Sequence, residues 1–356
     1  MPFRAPERIN PLNNPRRSSL SRIRYGIIGY GLFAERAIAP AIQASSNSAL
    51  VAIQKRSLAD ARERASKLSI SHAFSTAEEM VRCDDIDAVF IVSANSAHCA
   101  ETIAAANAGK HVLVEKPMAL NVEESERMVA ACDTNAVKLM VGQVVRFSPV
   151  VGEIRRLVQS GDLGRIVSAR ADYLYDARLS HREWLYDRAI AGGGPVFDIG
   201  VHCLDTLCYV LDDRVESVKS HLSPLPTTTA TERSAILTLS FRKGAVGSIA
   251  CSFEAPFRQN VIEIVGTEGT VMAEEFTQGA RSATLHIGRR SPGTQLRSER
   301  RDIIVPDLYV EEVTAFSRCI IEDLESPVPG AVGVELQKVL DLSMTGGGFP
   351  KCGKTS

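Results

Sequence analysis

The segment Gly29–Ala34 has the residue types and spacing of a turn that binds a diphosphate. It reads G-Y-G-L-F-A and fits the pattern G-x-G-x-x-A. The first glycine permits a tight turn, the second lets the backbone approach phosphates, and the alanine lets a helix pack closely on the preceding strand. The N-terminus of that helix offers N–H groups and a partial positive charge to the same phosphates. We therefore predict that a dinucleotide cofactor contacts Gly29, Tyr30, Gly31, Leu32 and Phe33.

The polar residues at the end of the next predicted strand bear on which dinucleotide binds. An acidic side chain at this point binds the ribose hydroxyls of NAD, whereas a basic one pairs with the 2′-phosphate of NADP. The sequence here is Gln54-Lys55-Arg56-Ser57, and no Asp or Glu occurs between Ser45 and Ala59. Because an arginine fork suits a phosphate, we predict a preference for NADP, with NAD possible, through Lys55, Arg56 and Ser57. In the alternative interpretation, both cations are solvated and Ser57 only caps the following helix.

A parallel sheet is needed to position these residues, and the first half of the sequence predicts one. Short apolar runs alternate with helical patterns in the order βαβαβαβ, which is typical of a parallel sheet covered by helices on both faces. The predicted strands are Ile23–Ile28, Leu50–Gln54, Ala88–Val92, His111–Val114 and Val137–Val141. We expect an α/β fold whose Rossmann domain covers residues 23–145.

The second half predicts a different sheet. Consecutive strands without intervening helices are typical of antiparallel pairing, and hairpin turns are expected at Arg242–Gly244 and Gly266–Gly269. We expect a second α/β domain over residues 146–345, with helices at Phe147–Gln159 and Pro306–Leu324. The predicted strands are Ile166–Tyr175, Val215–His221, Ala235–Phe241, Ala245–Phe253, Asn260–Val265 and Thr270–Glu274.

Composition limits the classes of protein to which the chain can belong. Its 356 residues suggest one large domain or two ordinary ones, and 45% hydrophobic with 23% charged residues is typical of a globular protein. The 41 Lys and Arg balance 42 Asp and Glu, for a net charge of −1, which argues against nucleic acid or an anionic membrane as the main partner. No apolar run approaches the ~18 residues that span a bilayer.

The cysteines and the two ends of the chain suggest neither a disulfide framework nor a further site. None of the eight cysteines forms a C-x-x-C pair, so we expect reduced, buried thiols, a cytoplasmic location and no metal site. Residues 1–22, with Arg16-Arg17 but no apolar region of an export signal, are expected to be a disordered basic arm. The P-loop pattern at 348–355 is expected to be a chance match within an irregular tail, residues 346–356, because only Ser356 follows it.

Five stretches together resemble the glucose–fructose oxidoreductase, inositol dehydrogenase and rhizopine catabolism (Gfo/Idh/MocA) family. They extend from the first predicted strand to the last helix, and the Glu-Lys-Pro triplet and the glycine run before Asp198 and His202 are specific when found in this order. The stretches are Gly26–Gly31, Ser93–His98, Glu115-Lys116-Pro117, Gly192–His202 and Gly266–Thr270.

The resemblance implies an NAD(P)-dependent dehydrogenase or reductase that acts on CH–OH groups of a sugar, cyclitol or related polyhydroxy compound. It also implies an open, mainly antiparallel sheet in the second domain that often forms the interface of a homodimer or homotetramer. By position, Lys116, Asp198 and His202 match the catalytic residues of the family, and Pro117 matches a proline often found after a cis peptide. The resemblance further assigns to the cofactor site Ser93, Asn95, His98, Glu115, Lys116 and Gln143.

The chemistry of these residue types agrees with that implication. Lys116 follows the carboxyl end of a predicted parallel strand, where open α/β sheets bind ligands. Asp198 and His202 are four residues apart at the start of the predicted helix Val196–Leu211, so they face the same side. Removing hydride from a carbinol carbon needs a base for the hydroxyl proton, and histidine suits this near neutral pH. We expect Asp198 to orient the imidazole and Lys116 to hydrogen-bond the reacting oxygen.

Further substrate contacts are expected from aromatic and charged side chains of the second half, because a sugar offers a C–H face and hydroxyl groups. The candidates, besides the catalytic three, are Arg146, Tyr173, Arg178, Trp184 and Asp187. Two other functions stay open at this point: a glycosidase of the same fold in which hydride leaves and returns within one cycle, and a non-catalytic NADP-binding regulator.

Overall fold

A computed structural model describes residues 21–180, 182–290 and 296–346. The predicted basic arm before Ser21, the P-loop-like segment 348–355 and Cys352 lie outside the described residues. The described chain forms two sheets, each with its own core of buried apolar side chains.

The first sheet has six parallel strands in the order β3-β2-β1-β4-β5-β6, which is the Rossmann strand order. Its central strands are buried on both faces because helices cover both. The strands are β1 Ile23–Ile28, β2 Ser48–Gln54, β3 His72–Phe74, β4 Ala88–Ile91, β5 His111–Glu115 and β6 Leu139–Gly142. The helices are α1 Ala39–Ala44, α2 Leu58–Leu68, α3 Ala77–Val81, α4 His98–Asn107 and α5 Val122–Thr134.

This sheet confirms the predicted parallel arrangement, with two differences. The short edge strand β3 and helix α3 were not predicted, since β3 has three residues, all of them only half-buried. The helix after the glycine turn begins with a π-helical turn, Ala34–Ile38, before continuing as α1.

The second sheet has eight strands in the order β14-β13-β12-β11-β7-β10-β9-β8. All neighbours are antiparallel except β7 and β10, which run parallel. The strands are β7 Ile166–Asp176, β8 Val215–Ser223, β9 Ser234–Phe241, β10 Val246–Ser252, β11 Glu254–Gly266, β12 Gly269–Glu274, β13 Arg281–Arg290 and β14 Leu296–Val305. The mainly antiparallel prediction is confirmed, and the turns at Arg242–Gly244 and Gly266–Gly269 join antiparallel neighbours as expected.

The remaining helices cover one face of this sheet or return to the first. They are α6 Pro149–Gln159, α7 Arg188–Ala191, α8 Val201–Leu211, α9 Leu308–Ile321 and α10 Gly330–Met344. Helix α9 begins at the predicted Asp307 cap, whose carboxylate accepts from the Tyr309 N–H at 3.0 Å, and it adds Val313 and Phe316 to the core of the first sheet. Helix α9 therefore belongs to the second half of the sequence but packs on the first sheet.

The segment Arg188–Leu211, which includes α7 and α8, is long and apolar enough to cross a membrane by length and composition. Its most apolar window is 83% buried inside the protein. The segment is therefore part of the buried core, and the second sheet packs on it. Helix α8 supplies Leu204, Leu207 and Val210 to that core.

Candidate active site

The candidate site lies where the parallel strands of the first sheet end. Gly29 follows β1, Ser93 lies two residues after β4, Lys116 follows β5, and Gln143 follows β6. Because neighbouring parallel strands end at the same edge of a sheet, these residues share one face of the domain.

The glycine turn has the shape that a diphosphate requires. Gly29 has φ of +82°, and a Cβ built on it would lie 2.6 Å from the backbone of Ser93, so no other residue fits. A Cβ on Gly31 would meet only the Gly29 oxygen, at 3.8 Å, so space is open beside it. Leu32 and Phe33 are 53% and 40% exposed next to that space. The turn therefore fits the phosphates of a dinucleotide.

The end of β2 supports this turn and leaves two cations beside it. The Gln54 side chain accepts from the Gly29 N–H at 3.0 Å and donates to the Ser75 oxygen at 2.9 Å. Lys55 is half-buried, with Nζ 6.0 Å from the centre of the Tyr30 ring, and Arg56 is exposed. These two side chains can meet a phosphate at the ribose.

Ser57 has a local role at this point. Its hydroxyl accepts from the Asp60 N–H at 3.3 Å and caps α2. The helix cap of the alternative interpretation is thus present, and the hydroxyl hydrogen of Ser57 stays available to donate to a phosphate.

Lys116 and Asp198 connect the two halves of the chain. Lys116 Nζ donates to the main-chain oxygen of Asp198 at 2.7 Å and to its carboxylate Oδ1 at 3.1 Å. Both side chains are largely buried, at 13% and 7% exposed. Lys116 follows β5 and precedes Pro117 through a cis peptide bond, and Asp198 lies in the π-helical turn Val196–Gly200 that leads into α8. An ammonium has three donors, and the two hydrogen bonds to Asp198 are the ones that Lys116 Nζ makes within the described part of the chain.

Arg182 and Tyr175 complete the surroundings of this carboxylate, and neither was predicted from the sequence. Arg182 donates to Asp198 Oδ1 at 3.2 Å and Oδ2 at 2.9 Å, and to the Tyr175 hydroxyl at 2.7 Å. Tyr175 donates in turn to Asp198 Oδ2 at 3.2 Å. Although burial opposes ionisation, the cations of Lys116 and Arg182 hold the pKa of Asp198 well below its ordinary value. Asp198 is therefore a permanent anion.

His202 lies beside this charged group as a neutral imidazole. Burial and the positive charge of Lys116 lower its pKa to about 3, although the negative charge of Asp198 opposes the shift. Nδ1 is buried and makes no hydrogen bond within the described chain. No hydrogen bond from the ring to Asp198 is present among these residues, where Lys116, Arg182 and Tyr175 donate to the carboxylate. The expectation that Asp198 orients the ring is corrected accordingly.

Buried side chains of the loop after β4 form hydrogen bonds with segments around the site. The His98 side chain is fully buried, with Nδ1 3.0 Å from the Pro117 oxygen and Nε2 3.2 Å from the Ser93 oxygen. Asn95 is also buried and donates to the Ala191 oxygen at 2.9 Å, while Ser93 donates to Glu101. We therefore revise the cofactor contact expected of the His98 side chain, which instead holds two ligand-facing segments together.

Two buried carboxyl groups lie behind Lys116. Glu115 accepts from the Lys116 N–H at 3.2 Å through one oxygen, while the other oxygen makes no hydrogen bond among the described residues. Burial raises the pKa of Glu115 to about 7. Glu312 of α9 is fully buried with both oxygens unbonded in the described structure. Burial and the neighbouring Glu115 raise its pKa well above the ordinary value. Gln143 is likewise buried, with an unbonded oxygen.

The structure corrects three of the predicted substrate contacts. Arg146 is bound by the buried carboxylate of Asp205, at 2.7 to 3.1 Å, and lines a separate groove between α5, α8 and α10. Arg178 is 77% exposed and paired with Asp176. Asp187 caps α7 by accepting from the Ala189 N–H at 2.9 Å. Each of these side chains has a local structural partner.

The aromatic candidates have different surroundings. Tyr173 packs 5.9 Å from Tyr175, ring centre to ring centre, and the Arg258 guanidinium lies 4.8 Å above its ring. Tyr173 is therefore in the layer next to Asp198. Trp184 lies in the 3₁₀ turn Glu183–Tyr186, two residues from Arg182, and packs against the second core.

Comparisons with known proteins agree with both halves of this arrangement. Residues 23–143 match the family described as "Oxidoreductase family, NAD-binding Rossmann fold", and residues 151–272 match "GFO/IDH/MocA C-terminal domain". The chain is 31% identical over 312 residues to a 1,5-anhydro-D-fructose reductase of Ensifer adhaerens, covering 87% of this chain and 92% of that protein. It is 32% identical over 289 residues to an NADP(+)-dependent scyllo-inositol 2-dehydrogenase of Bacillus subtilis, covering 80% and 83%.

A solved structure adds a comparison in three dimensions. The aldose-aldose oxidoreductase of Caulobacter crescentus, complexed with glycerol, is 26% identical and superposes with a TM-score of 0.80. The match covers 90% of this chain and 96% of that one. The similarity thus extends over both sheets.

Proposed function

Because this chain belongs to the Gfo/Idh/MocA family and is an NAD(P)-dependent oxidoreductase, we propose that it uses Lys116, Asp198 and His202 to oxidise or reduce a sugar or cyclitol carbon, with NADP as the preferred cofactor. The observation that carries this proposal is the pair of hydrogen bonds from Lys116 Nζ to Asp198. That contact brings an ammonium from one half and a carboxylate from the other beside a buried imidazole, at the sheet edge where the glycine turn lies.

The residues of the first half would hold the cofactor. The open space at Gly31 and the exposed Leu32 and Phe33 suit a diphosphate and its ribose. The nicotinamide, when bound, supplies or accepts the hydride.

Lys116 would donate its remaining N–H to the reacting oxygen of the substrate. In the oxidation direction, negative charge develops on that oxygen as its proton leaves, and a fixed ammonium in a largely buried site stabilises the charge. Asp198, bound by Arg182 and Tyr175, keeps the ammonium in place. The neutral His202 would accept the hydroxyl proton and return it in the reverse direction.

The preference for NADP rests on the end of β2. The chain supplies Lys55 and Arg56 there, and no carboxylate occurs within the segment between Ser45 and Ala59. A guanidinium binds a phosphate monoester through two parallel hydrogen bonds. In the absence of an acidic residue for the ribose hydroxyls, the 2′-phosphate is the better ligand.

We also propose that two copies associate through the open face of the second sheet. Ile236 of β9, Val246 of β10 and Ile304 of β14 are 53%, 57% and 86% exposed. Ile236 and Val246 share one face, since Ile236 pairs with Ala250 and Val246 with Ser240 in the same ladder. Large apolar side chains on a sheet face favour burial against another surface.

A screen of aldoses, inositols and anhydro sugars with NAD and NADP, followed by absorbance at 340 nm, tests the proposed function. We expect turnover of at least one polyhydroxy compound, with a higher kcat/KM for NADP. A net change of absorbance requires bulk oxidation or reduction, so products that appear without it would indicate the cofactor-assisted glycosidase instead. Cofactor binding with no turnover of any compound in the panel would contradict the proposal.

A further inference from the structure

A second cluster of chemically active side chains lies at the other end of the first sheet. His72 begins β3, and Cys83 and Asp85 lie in the loop between α3 and β4. One ligand atom of each residue, a ring nitrogen, a thiol sulfur and a carboxylate oxygen, lies within 4.8 Å of the other two. These residues precede strands, whereas Gly29 and Lys116 follow them, so the cluster is separate from the candidate active site.

We propose that His72, Cys83 and Asp85 bind a divalent transition-metal ion of the Zn²⁺ type, with water as the fourth ligand. Nitrogen, thiolate and carboxylate donors are the set that Zn²⁺ takes in proteins. Mg²⁺ and Ca²⁺ take oxygen ligands and would leave the thiol and the imidazole unused. The sequence pattern gave no hint of this site, because the histidine is separated from the other two residues by a helix.

The separations within the cluster suit one ion. Zn²⁺ bonds of about 2.0–2.3 Å in a tetrahedron place neighbouring ligand atoms about 3.3–3.7 Å apart. His72 Nε2 and Asp85 Oδ2 are already 3.0 Å apart. All three ligand atoms lie within 4.8 Å of one another, so the remaining difference from the separations around a zinc ion is about 1 Å.

Hydrogen bonds from two cationic side chains hold the loop that carries Cys83 and Asp85. Lys110 Nζ donates to the oxygens of Cys83 and Ile86, both at 2.8 Å. Arg24 donates to the Asp84 oxygen at 3.0 Å and to Asp85 Oδ1 at 3.2 Å. Because Arg24 uses Oδ1, Oδ2 stays directed toward His72. A loop held in this way loses little further conformational entropy on binding a metal.

The charges around the cluster also permit a cation. Arg24, Arg82 and Lys110 are positive, while Asp84, Asp85 and Asp87 are negative, so these charges balance before Cys83 ionises. Binding releases the thiol proton and adds a further negative ligand. The negative charges of the Cys83 thiolate and the Asp85 carboxylate then balance a divalent ion. The neighbouring cations still have Asp84 and Asp87 as counter-charges.

Cobalt titration of the full-length chain, freed of metal with a chelator, tests this site. Co²⁺ replaces Zn²⁺ and gives a thiolate-to-cobalt band in the ultraviolet and d–d bands in the visible. We expect one Co²⁺ per chain, displaced by Zn²⁺. Cys83→Ser should remove the thiolate band, and His72→Ala and Asp85→Asn should weaken binding at least tenfold. Zn²⁺ should raise the Tm of the unmodified chain and not that of Cys83→Ser.

Matched controls separate this site from non-specific metal binding. His221→Ala, at an exposed histidine of β8, and Cys208→Ser, at a cysteine outside the cluster, should bind Co²⁺ as the unmodified chain does. If His72→Ala does not fold, Cys83→Ser and Asp85→Asn decide the matter. Co²⁺ binding without a thiolate band, or binding unchanged in both of those variants, would overturn the proposal. The cluster is separate from the candidate active site, so metal binding tests this proposal, while turnover and cofactor binding test the proposed function.

Discussion

Lys116 Nζ and Asp198 form a direct contact between the two halves of this protein, through hydrogen bonds of 2.7 Å to the main-chain oxygen and 3.1 Å to the carboxylate. The two residues are 82 positions apart in the sequence. One follows a strand of the parallel sheet, and the other lies in the turn before α8, so neither half contains the site by itself. The contact fixes an ammonium at the edge where the cofactor turn lies.

Replacing Lys116 by methionine should lower kcat by about 10²–10³ and leave cofactor affinity nearly unchanged. Methionine keeps much of the side-chain volume but removes the donor to the reacting oxygen, and loss of one such donor costs about 10²–10³ in kcat. Asp198 keeps Arg182 as a partner, so folding should survive. Steady-state kinetics and a cofactor titration measure both effects, with the exposed Lys67→Met as control. Equal turnover in the two variants would contradict the proposed role.

In the protein without substrate, His202 should not take up a proton from solvent between pH 5 and pH 8. Burial and the charge of Lys116 lower its pKa to about 3 in the folded chain, below the ordinary value of about 6.5. The unfolded chain therefore binds more protons than the folded one between these two values, and the histidine lowers stability as the pH falls below about 6.5. NMR titration of the ring protons, with the signal identified by its loss in His202→Asn, measures this. The same variant should lower kcat about 10²–10⁴-fold, and a ring signal that titrates near pH 6.5 would refute the neutral imidazole.

Arg182→Gln should lower both stability and activity, because it removes three hydrogen bonds from the Asp198 and Tyr175 group. Loss of hydrogen bonds to a charged partner costs about 1–3 kcal/mol, with the lower part of that range expected because Arg182 is 36% exposed. Arg178→Gln is the control, since that arginine is exposed and, among the residues that the structure describes, forms its ion pair with Asp176. Urea unfolding and kcat/KM should separate the two variants. A similar, small change in both would argue against the role of Arg182 in holding Asp198 and Tyr175.

Arg56→Ala should weaken NADP binding about tenfold to a hundredfold and leave NAD binding unchanged. The loss corresponds to about 1.5–3 kcal/mol for a hydrogen bond to a charged group. Dissociation constants for both cofactors measure the difference, and Arg62→Ala, an exposed arginine of α2, gives the baseline. If NADP and NAD weakened equally, Arg56 would not be binding the 2′-phosphate.

Glu312 should make the free energy of unfolding fall as pH rises above about 4.5. The folded chain keeps this buried carboxyl protonated, because burial raises its pKa well above the ordinary value, while the unfolded chain releases the proton. The folded state then binds one more proton, which corresponds to a loss of about 1.4 kcal/mol per pH unit. Urea unfolding from pH 5 to pH 8 measures the slope. Glu312→Gln should flatten it, whereas Glu311→Gln, at the exposed neighbouring residue, should leave it unchanged.

The elements with strong local patterns were predicted well. Strands β1, β2, β4 and β5 are apolar runs bounded by turn residues, so their positions follow from the sequence. The edge strand β14, its neighbour β13 and the helix α10 were not predicted. Charged residues near a sheet edge weaken the alternating pattern, as the arginines of Arg281–Arg290 and Leu296–Val305 illustrate.

The site residues likewise include some that the sequence predicted and some that it did not. The resemblance to a known family led to the prediction of Lys116, Asp198 and His202, whereas the partners of Asp198 were missed. Arg182 lies in a polar loop without periodicity, so its only signal was the polarity of that loop. Arg146 was chosen as a substrate contact because it is an arginine near the site in sequence, but the buried Asp205 binds it.

The sequence by itself determined the glycine turn and the parallel sheet, because these depend on local backbone geometry and on hydrophobic period, whereas Lys116, Asp198 and His202 were proposed through the resemblance to a family. Only the tertiary structure decided which charged groups meet and which are buried. Ion pairing and burial depend on residues distant in the chain, as in Arg182 with Asp198, and they alone set the pKa values of His202 and Glu312.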